Sequence, residues 1–445
     1  MTEKMKPSGI DWIKDIPSSW DINKVKYLAT EPGTLFLDGD WIESDVIEES
    51  GIRYLTTGNV GAGFYKEQGS GHISEKTFSE LHCLNVYPGD LMISRLNEPI
   101  GRACIIPDTE SRYVVAVDNV ILRPNANYNK KFIMYGMNAD GYAEHANMIA
   151  RGATMSRISR SQLGQFWLAF PNIEEQQAIA DFLDKECAQI DSIAADLEKQ
   201  IALLQQYKKS LITETVTKGL GKSAPMKDSG VEWIGQIASS NYICRLKYLT
   251  TIKDGTHDTP AYVDETEDTY PLITAKHIDY KTKQINFSSA NHISKSDFEA
   301  IYKRSDVEYG DIIMPMIGTI GNPVIVTTHN KFAIKNVALF KTGLDLVQAK
   351  YIFYQFYSNF LSEQFALMSR GGVQSFVSLE VLGNLIFVDC NQDQKKRIVK
   401  YLDATCEQVD ELIIGKQNQL SIVQQHKKSL IYEYVTGKKR VKEVQ

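Results

Sequence analysis

Two stretches of the chain, residues 172–219 and 391–437, place apolar residues at alternating spacings of four and three. This spacing keeps one face of an α-helix apolar over about four heptads, which predicts two coiled-coil helices that pack against each other. The seam residues are Leu183, Cys187, Ile190, Leu197, Ile201, Leu204 and Leu211 in the first stretch and Leu402, Cys406, Val409, Ile413, Leu420, Val423 and Leu430 in the second. Two separate surface helices, each packed on its own domain, are the alternative interpretation.

Matching signals mark the ends of both predicted helices. They are Asn172-x-x-Glu175 and Gly219 for the first helix, and Asn391-x-x-Gln394 and Gly437 for the second. In such a capping box the first side chain accepts from free backbone N–H groups and the fourth side chain reaches back. A glycine after the last turn supplies the left-handed backbone that commonly ends a helix.

Two kinds of residue interrupt the apolar seam. Lys208 and Lys427 occupy seam positions, where a charge lowers stability but can fix the register of the helices. Alternatively, the lysines mark where the seam splays open. Cys187 and Cys406 also lie on the seam, and we expect them to be small buried hydrophobic residues rather than reactive thiols.

The chain repeats itself. The sequence G-I-D-W-I at 9–13 returns as G-V-E-W-I at 230–234, and K-K-S-L-I at 208–212 returns at 427–431. Between these matched segments the two halves diverge. A period of about 220 residues is far longer than a solenoid repeat, so it indicates domain duplication.

The helices and the repeat together predict the fold class. We expect two α/β (α+β) domains separated by two long antiparallel coiled-coil helices, with a pseudo-two-fold internal duplication. The predicted segments are a first variable domain at 1–171, a central helix at 172–219, a second variable domain at 220–390, a C-terminal helix at 391–437 and a basic tail at 438–445. The tail is interpreted as a solvated terminus, with contact to phosphates or to a partner as the alternative.

Composition restricts the class of protein. The 445 residues are 43% hydrophobic and 23% charged, which is typical of a globular chain with several domains. The formal net charge of −6 counts against a uniformly basic DNA binder, so a DNA surface has to be local or shared with a partner. The six cysteines form no C-x-x-C pair, which disfavours zinc and disulfides and fits the cytoplasm. Neither a signal peptide nor an apolar run of about 18 residues is present.

Several motifs give the chain a resemblance to a known family. They are the repeated G-[IV]-[DE]-W-I, P-G-D-L-M at 88–92 with Y-G-D-I-I at 309–313, R-G-x-x-x-S at 151–156 and 370–375, Q-Q-x-K-K-S-L-I at both helix ends, and D-G-T-H-D-T-P at 254–260. With this layout the chain resembles, over essentially its whole length, the specificity subunit of Type I restriction-modification systems. In the first half, E-P-G-T at 31–34 stands in place of the D-G-T-H run.

The resemblance implies a function and partners. Each variable domain would read one half of a bipartite, asymmetric target in double-stranded DNA, and the helix pair would set the gap and dock two modification subunits. Those subunits carry S-adenosylmethionine and methylate adenine, and two restriction subunits that use ATP and Mg²⁺ can join them. The chain itself is expected to be non-catalytic and to hold no cofactor or metal.

Base readout requires hydrogen-bond donors and acceptors on loops beside the strands. The candidate DNA-binding residues are Tyr54, Thr57, Asn59, Arg95, Arg151, Thr154 and Arg157 in the first domain and Thr256, His257, Thr259, Lys276, His277, Arg370, Gln374 and Ser375 in the second. Arginine pairs with guanine and amides pair with adenine, although a loop arginine contacts phosphate more often than a base. His257 either contacts DNA or caps the turn made by Asp254 and Gly255.

Motifs of catalytic domains are missing from the sequence. The N-P pair at Asn322 and Pro323 is followed by valine, which does not fit the N-P-P-[FY] motif of an adenine methyltransferase. Gly221-Lys222-Ser223 resembles the end of a phosphate loop, but Val216 stands where the first glycine belongs. A fused methyltransferase and specificity chain is therefore disfavoured. A coiled-coil scaffold that does not bind DNA is the remaining alternative, and the acidic net charge is compatible with it.

Overall fold

The chain forms two compact units. The computed structural model describes residues 4–69, 71–96, 99–150, 156–221, 223–279, 282–318, 320–369 and 376–441. The first unit consists of residues 1–197 and 418–445, and the second unit consists of residues 198–417. The two long helices therefore do not form segments of their own, because each contributes residues to both units.

Short strands and helices make up most of the first unit. Its strands are β1 Met5–Pro7, β2 Asp15–Pro17, β3 Asp21–Lys24, β4 Leu35–Asp38, β5 Ile52–Leu55, β6 His72–Ile73, β7 Leu91–Ser94, β8 Ala103–Ile105, β9 Tyr113–Val115, β10 Asn119–Arg123 and β11 Trp167–Phe170. Its short helices are α1 Glu75–Glu80, α2 Lys130–Met137, α3 Asp140–Ile149 and α4 Arg160–Leu163. The long helix α5, Ile173–Lys218, begins here.

The second unit has a similar set of elements. Its strands are β12 Met226–Asp228, β13 Gln236–Ala238, β14 Tyr242–Arg245, β15 Thr251–Asp254, β16 Tyr262–Val263, β17 Tyr270–Ile273, β18 Ile278–Asp279, β19 Gln284–Ile285, β20 Asn291–Ile293, β21 Ile312–Pro315, β22 Val324–Ile325, β23 Ala333–Ile334, β24 Val337–Lys341 and β25 Ile386–Asp389. Its helices are α6 Lys295–Ser305, α7 Leu346–Phe356, α8 Asn359–Ser369, α9 Leu379–Gly383 and the start of the long helix α10, Gln392–Val435.

The strands of the two units follow the same topology. A four-stranded antiparallel sheet is ordered β4-β10-β7-β8 in the first unit and β15-β24-β21-β22 in the second. A neighbouring sheet contains one parallel pair, β5 with β9 or β17 with β23. Two-stranded ladders, β3 with β11 and β14 with β25, join the start of each variable segment to its end. This is a mixed α and β fold with long helices, and in each unit the first and last strands of the variable segment pair with each other.

Each four-stranded sheet separates two hydrophobic cores, because successive residues of a strand point to opposite faces. On β7, Leu91 and Ile93 face the core that contains α2 and α5, whereas Met92 faces a smaller core beneath β5 and β9. On β21, Ile312 and Ile313 divide in the same way. The sheet thereby links the long helices on one side to a set of loops on the other.

The long helices run antiparallel within the first unit. The rings of Phe182 on α5 and Tyr434 on α10 lie 4.5 Å apart, and further along α5 Asp191 pairs with Lys427, which lies earlier on α10. The predicted seam residues of both helices are buried or half-buried. Among the described residues, no helix is both long and apolar enough to cross a membrane.

Ion pairs join the two long helices at both seam lysines. Lys427 Nζ contacts both carboxylate oxygens of Asp191 at 2.6 and 2.7 Å, and Lys208 makes the equivalent pair with Asp410 in the second unit. The two pairs occupy the same positions of the repeat. Each seam lysine therefore binds an aspartate of the opposite helix and helps to fix how the two helices align. The lysines do not mark a place where the seam opens.

The helix ends form half of each predicted capping box. Asn172 and Asn391 accept from the backbone N–H groups of Glu175 and Gln394 at 2.8 and 2.9 Å. The Gln394 amide instead donates to Ser240 at 2.9 Å, and the Glu175 carboxylate faces the C-terminal segment. The predicted reach-back is therefore wrong, since tertiary partners take the fourth side chains. Both helices end at a glycine with positive φ, which is 75° at Gly219 and 70° at Gly437.

The segment after α10 packs on the N-terminal hairpin of the first unit. Lys438 Nζ donates to the carbonyl oxygen of Ile13 at 2.8 Å, and Arg440 pairs with Glu175. Lys439 pairs with Glu433 at 2.8 Å. The prediction of a solvated terminus is wrong for Lys438 and Arg440, because both have partners that are distant in the sequence. Lys439 remains exposed and pairs with a nearby residue of α10.

Candidate nucleic-acid interface

A turn at the end of a sheet strand has the same geometry in both units. β4 and β15 each end in an aspartate that is followed by a glycine, Gly39 or Gly255. A Cβ atom on Gly39 would lie 2.2 Å from the carbonyl oxygen of Val115, and one on Gly255 would lie 1.7 Å from that of Ile334. Each position requires glycine, since the two backbones approach too closely for a side chain.

This turn identifies the first-half counterpart of the D-G-T-H run. In the pairing of β4 with β10, Asp38 occupies the place that Asp254 has in the pairing of β15 with β24. D-G-D-W at 38–41 is therefore the counterpart of D-G-T-H at 254–257. The sequence comparison assigned residues 31–34 to this place, which is wrong, because those residues precede β4.

In each unit a 3-10 turn follows a strand of the neighbouring sheet: Thr57–Asn59 follows β5, and Ala275–His277 follows β17. A buried side chain holds each turn in place. Asn59 accepts from the backbone N–H of Thr56 at 2.8 Å and donates to two carbonyl oxygens at 3.0 and 2.8 Å. His277 accepts from the backbone N–H of Thr274 at 3.0 Å. Both side chains are 1% exposed. These two predicted base readers hold the turn in place, and a base contact by either would require the turn to open.

Burial also sets the protonation state of His277. The buried position, and secondly the charge of the adjacent Lys276, lower the pKa of His277 below its ordinary value. The ring is therefore neutral at neutral pH and keeps a nitrogen lone pair for the backbone N–H of Thr274. The neutral ring can hold the turn because one of its nitrogens accepts the backbone N–H of Thr274. A protonated ring has no lone pair and could not accept this hydrogen bond.

Arg95 bridges the strand ends of the first unit from a buried position. Its side chain donates to the carbonyl oxygen of Val117 at 2.6 Å and lies 3.4 Å from Asp38 and 3.8 Å from Asp118. Burial lowers the pKa of Arg95, and the two carboxylates oppose that effect. At 6% exposure, Arg95 serves this site as a support for charged side chains nearer the surface.

Two further arginines extend the cluster to the surface. Arg157 lies 2.9 Å from Asp118 and is 51% exposed, and Arg160 lies 3.1 Å from Asp38 and is 37% exposed. Together with Arg95, three guanidinium groups share two carboxylates. The exposed guanidinium of Arg157 therefore lies at the surface, where such a group suits contact with a phosphate or a base edge.

In the second unit, His257 occupies the corresponding surface. Its ring nitrogens form hydrogen bonds with Asp254 at 3.0 Å and with Asn336 at 2.9 Å, and its ring lies 5.7 Å from that of Phe376. Arg304 pairs with the same Asp254 carboxylate. His257 therefore caps the Asp-Gly turn, as one of the two interpretations predicted, while its side chain stays 43% exposed.

The other predicted residues lie on the same loops with different exposure. Half-buried positions are those of Tyr54, Thr57 and Thr256, and exposed positions are those of Thr259 and Lys276. Thr259 accepts from Lys335, which fixes its hydroxyl against the loop after β23. Five candidates lie outside the described residues: Arg151, Thr154, Arg370, Gln374 and Ser375.

Equivalent positions of the two units carry different side chains on one backbone frame. The N–H of Arg95 donates to Asp118 O at 2.9 Å, and the N–H of Met316 donates to Asn336 O at 3.2 Å in the same way. The equivalent pairs at this surface are Trp41 with His257, Arg95 with Met316, Asp118 with Asn336 and Arg157 with Phe376. An arginine and carboxylate cluster in one unit thus corresponds to a histidine, amide and aromatic cluster in the other.

Sequence reasoning missed Trp41. Its side chain is 70% exposed, and the indole N–H donates to Glu43 at 3.3 Å. A tryptophan this exposed contributes little to the core, and its indole ring is accessible at the same surface as Arg157. The Asp-Gly dipeptide at the end of an apolar strand, present in both halves, is the signal that would have identified it.

Arg102 is a second residue that the sequence did not single out. Its guanidinium donates to the carbonyl oxygens of Val60 at 2.7 Å, Thr57 at 2.9 Å and Leu96 at 3.0 Å. Since these carbonyls belong to the 3-10 turn and to the loop after β7, Arg102 holds the two loops together. It is a positioning residue for the surface of the first unit.

In the part of the chain that the structure describes, no three His, Cys, Asp or Glu side chains come together as a metal site. Cys187 and Cys406 are buried on the helix seam, and burial raises the pKa of each thiol to about 11. Both thiols are therefore neutral at physiological pH and pack as small hydrophobic groups.

The chain is similar in sequence to DNA specificity proteins of Type I restriction-modification systems. A sequence model of the family described as "Type I restriction modification DNA specificity domain" matches residues 36–203. The putative type I restriction enzyme MjaX specificity subunit of Methanocaldococcus jannaschii is 22% identical over 388 residues, which are 84% of this chain and 83% of that protein. The type I restriction enzyme EcoBI specificity subunit of Escherichia coli is 27% identical over 207 residues, which are 45% of this chain and 42% of that protein.

A solved structure shares the fold. The chain superimposes with a TM-score of 0.67 on a chain from work described as the structural basis underlying complex assembly and conformational transition of the type I R-M system. The match covers 94% of this chain and 98% of that chain at 12% sequence identity. At this identity the likeness concerns the backbone fold.

Proposed function

We propose that the chain, which resembles the specificity subunits of Type I restriction-modification systems, selects the DNA sequence on which a modification complex acts in the cytoplasm. Each unit reads one half of a bipartite, asymmetric target in double-stranded DNA. The chain contributes no catalytic group in this proposal. Two modification subunits supply S-adenosylmethionine chemistry at adenine, and restriction subunits that use ATP and Mg²⁺ join when DNA is cut.

The observation that carries the proposal is the shared backbone frame with different side chains. Arg157 and Trp41 present a cation and an indole in the first unit, whereas His257 and Phe376 stand at these positions in the second. At the position shared by Arg157 and Phe376, a guanidinium pairs with guanine, whereas an apolar ring contacts the methyl group of thymine. Two units of equal fold and different surface chemistry suit a target whose halves differ.

Exposed apolar residues on the long helices support the docking of partner proteins. Ile193 and Leu412 occupy equivalent positions of the repeat and are 51% and 55% exposed, and Leu203 and Ile422 are likewise equivalent at 54% and 64%. Large apolar side chains that remain exposed favour a protein interface. Since each position occurs twice, the helices suit two copies of one partner.

The test is the sequence of methylated sites in cells that carry this chain with its modification subunit. Exchange of residues 29–170 for the corresponding segment of another specificity subunit should change one half of the target and leave the other half unchanged. The reciprocal exchange in the second half is the matched control. An unchanged target after either exchange would contradict the proposal, and an assembled complex that binds no DNA would favour a scaffold.

The helices provide a second test of the same proposal. Insertion of one heptad at matched places in both long helices adds about 10 Å of helix, which corresponds to about three base pairs. The gap in the methylated target should widen by that amount while both halves stay the same. Insertion into one helix alone disrupts the paired seam and serves as the control for a general loss of assembly.

A further inference from the structure

A cavity of about 680 Å³ opens in the first unit beside the paired long helices. Its lining includes Phe64 from the hairpin after β5, Asn138 from the end of α2, Asp184 and Asp191 from α5, and Lys427 from α10. The walls are thus partly charged. All of these residues belong to the first unit, so the cavity is a feature of that unit alone.

The hairpin at this place differs in length between the units. In the first unit Val60 pairs with Tyr65 across four residues, whereas in the second unit Ile278 pairs with Ile285 across six. The longer hairpin brings Lys283 Nζ to 3.1 Å from the Asp410 carboxylate. The two additional residues therefore allow the second unit to place a lysine against its own long helix.

The lysine of the second unit lies where the first unit has its cavity. Asn138 donates to the carbonyl oxygen of Ala103 at 2.9 Å, and its counterpart Tyr357 donates to that of Pro323 at 3.0 Å. The Lys283 ammonium lies 5.6 Å from the Tyr357 ring centre as well as against Asp410. Since Asn138 and the counterpart of Asp410 both line the cavity, the cavity corresponds to the site of Lys283.

The carboxylate of the first unit has room for the cation that its counterpart already binds. Asp410 pairs with both Lys208 and Lys283, whereas Asp191 pairs with Lys427. The Asp191 side chain is 59% exposed and that of Asp410 is 39% exposed. A carboxylate has about four lone-pair sites, so Asp191 can accept a second ammonium group in the geometry that Asp410 displays.

We propose that this cavity is a docking site for a lysine side chain carried by a loop of the modification subunit. The inference rests on the proposed function, because it requires that subunit as the partner. The occupant is a lysine on a polypeptide because the second unit presents its own lysine from a hairpin in the equivalent position. The two modification subunits would then bind the chain differently. In the first unit the cavity receives a lysine of the modification subunit, whereas in the second unit Lys283 of the chain already occupies the equivalent place.

Zero-length carbodiimide crosslinking of the assembled complex tests the proposal directly, because the reagent joins carboxylates to lysine amines that touch. Mass spectrometry should find Asp191 joined to a lysine of the modification subunit. The internal link between Asp410 and Lys283 is the matched positive control within the same chain. The link between Asp191 and Lys427 is a second internal control.

Two variants and one control variant measure the contribution of this contact to assembly. Asp191→Asn should weaken binding of the modification subunit on the order of 10-fold, as loss of one partner of an interfacial charge pair does. Asp196→Asn, on an exposed carboxylate of the same helix, should leave binding unchanged. Replacement of residues 61–64 by the six residues 279–284 should fill the cavity from within and weaken binding without removing the ion pair between the long helices.

The outcomes are distinct. An assembled complex in which the two internal links form, but Asp191 joins no lysine of the modification subunit, would overturn the proposal. Wild-type affinity of the grafted chain would also overturn it, as would a free polyamine bound in the cavity of the complex. If the unaltered chain binds no modification subunit, the proposed function itself fails, and this inference fails with it.

Discussion

Substitution of Gly39 by alanine should disturb the first unit and only the half of the DNA target that this unit reads. The added Cβ would lie 2.2 Å from the carbonyl oxygen of Val115 and 2.4 Å from that of Ala116. Both neighbours are backbone atoms, so a side-chain rotation cannot relieve the overlap. The strand end has to move by about 1 Å to restore an ordinary contact.

The cost follows from the contacts that this movement breaks. Asp40 donates its N–H to Val115 at 2.7 Å and accepts from the N–H of Val117 at 2.9 Å. Overpacking typically costs about 1–3 kcal/mol and each of the two hydrogen bonds contributes about 1 kcal/mol, so Gly39→Ala should destabilise the first unit by about 3–5 kcal/mol. The adjacent Trp41 would be displaced from its place at the surface.

Thermal unfolding of the assembled chain, hydrogen exchange at the Asp40 amide and the methylated DNA sequence together provide the assay. The melting temperature should fall by several degrees, and the target should relax in one half. Gly255→Ala should affect the other half. Gly415→Ala, at a helix position with open space around it, should instead stabilise the chain by about 0.5–1 kcal/mol. A Gly39→Ala chain with unchanged stability and unchanged target would refute the reasoning.

Three further predictions follow from the contacts described above. Burial and the adjacent lysine lower the pKa of His277, so protonation of this side chain opposes folding. The free energy of unfolding should therefore fall as the pH drops below about 6.5. Urea unfolding at about pH 7.5 and 5.5 should show this dependence in the unaltered chain and its loss in His277→Asn. Trp41→Ala should relax the first half of the target and His257→Ala the second, by on the order of 10-fold in binding; loss at both halves from either change would contradict the assignment. A double-mutant cycle on Lys208 and Asp410 should give a coupling of about 1 kcal/mol in the free energy of unfolding, and zero coupling would remove the pair from the register argument.

Periodicity and local signals in the sequence determined the long helices. Spacings of four and three, asparagine at each start and glycine at each end were sufficient to predict helices that the structure gives as 173–218 and 392–435. The repeat likewise predicted two halves of similar build. These features depend on residues within a few turns of one another, and a single sequence displays them directly.

Strand pairing decided the equivalence of the two DNA-facing surfaces. Asp38 and Asp254 share a register that is set by β10 and β24, which lie more than 80 residues later in the chain. The sequence offered residues 31–34 as the counterpart instead. Register in a sheet depends on partners that are distant in sequence, so a short motif cannot establish it.

Tertiary packing alone decided which polar residues face solvent. Asn59, Arg95 and His277 have the donors and acceptors that base recognition requires, and the sequence therefore proposed them, but they are buried and hold loops in place. Trp41 is exposed although its type favours burial. Hydrogen-bonding capacity is a property of the residue, whereas its availability depends on neighbours that only the folded chain brings together.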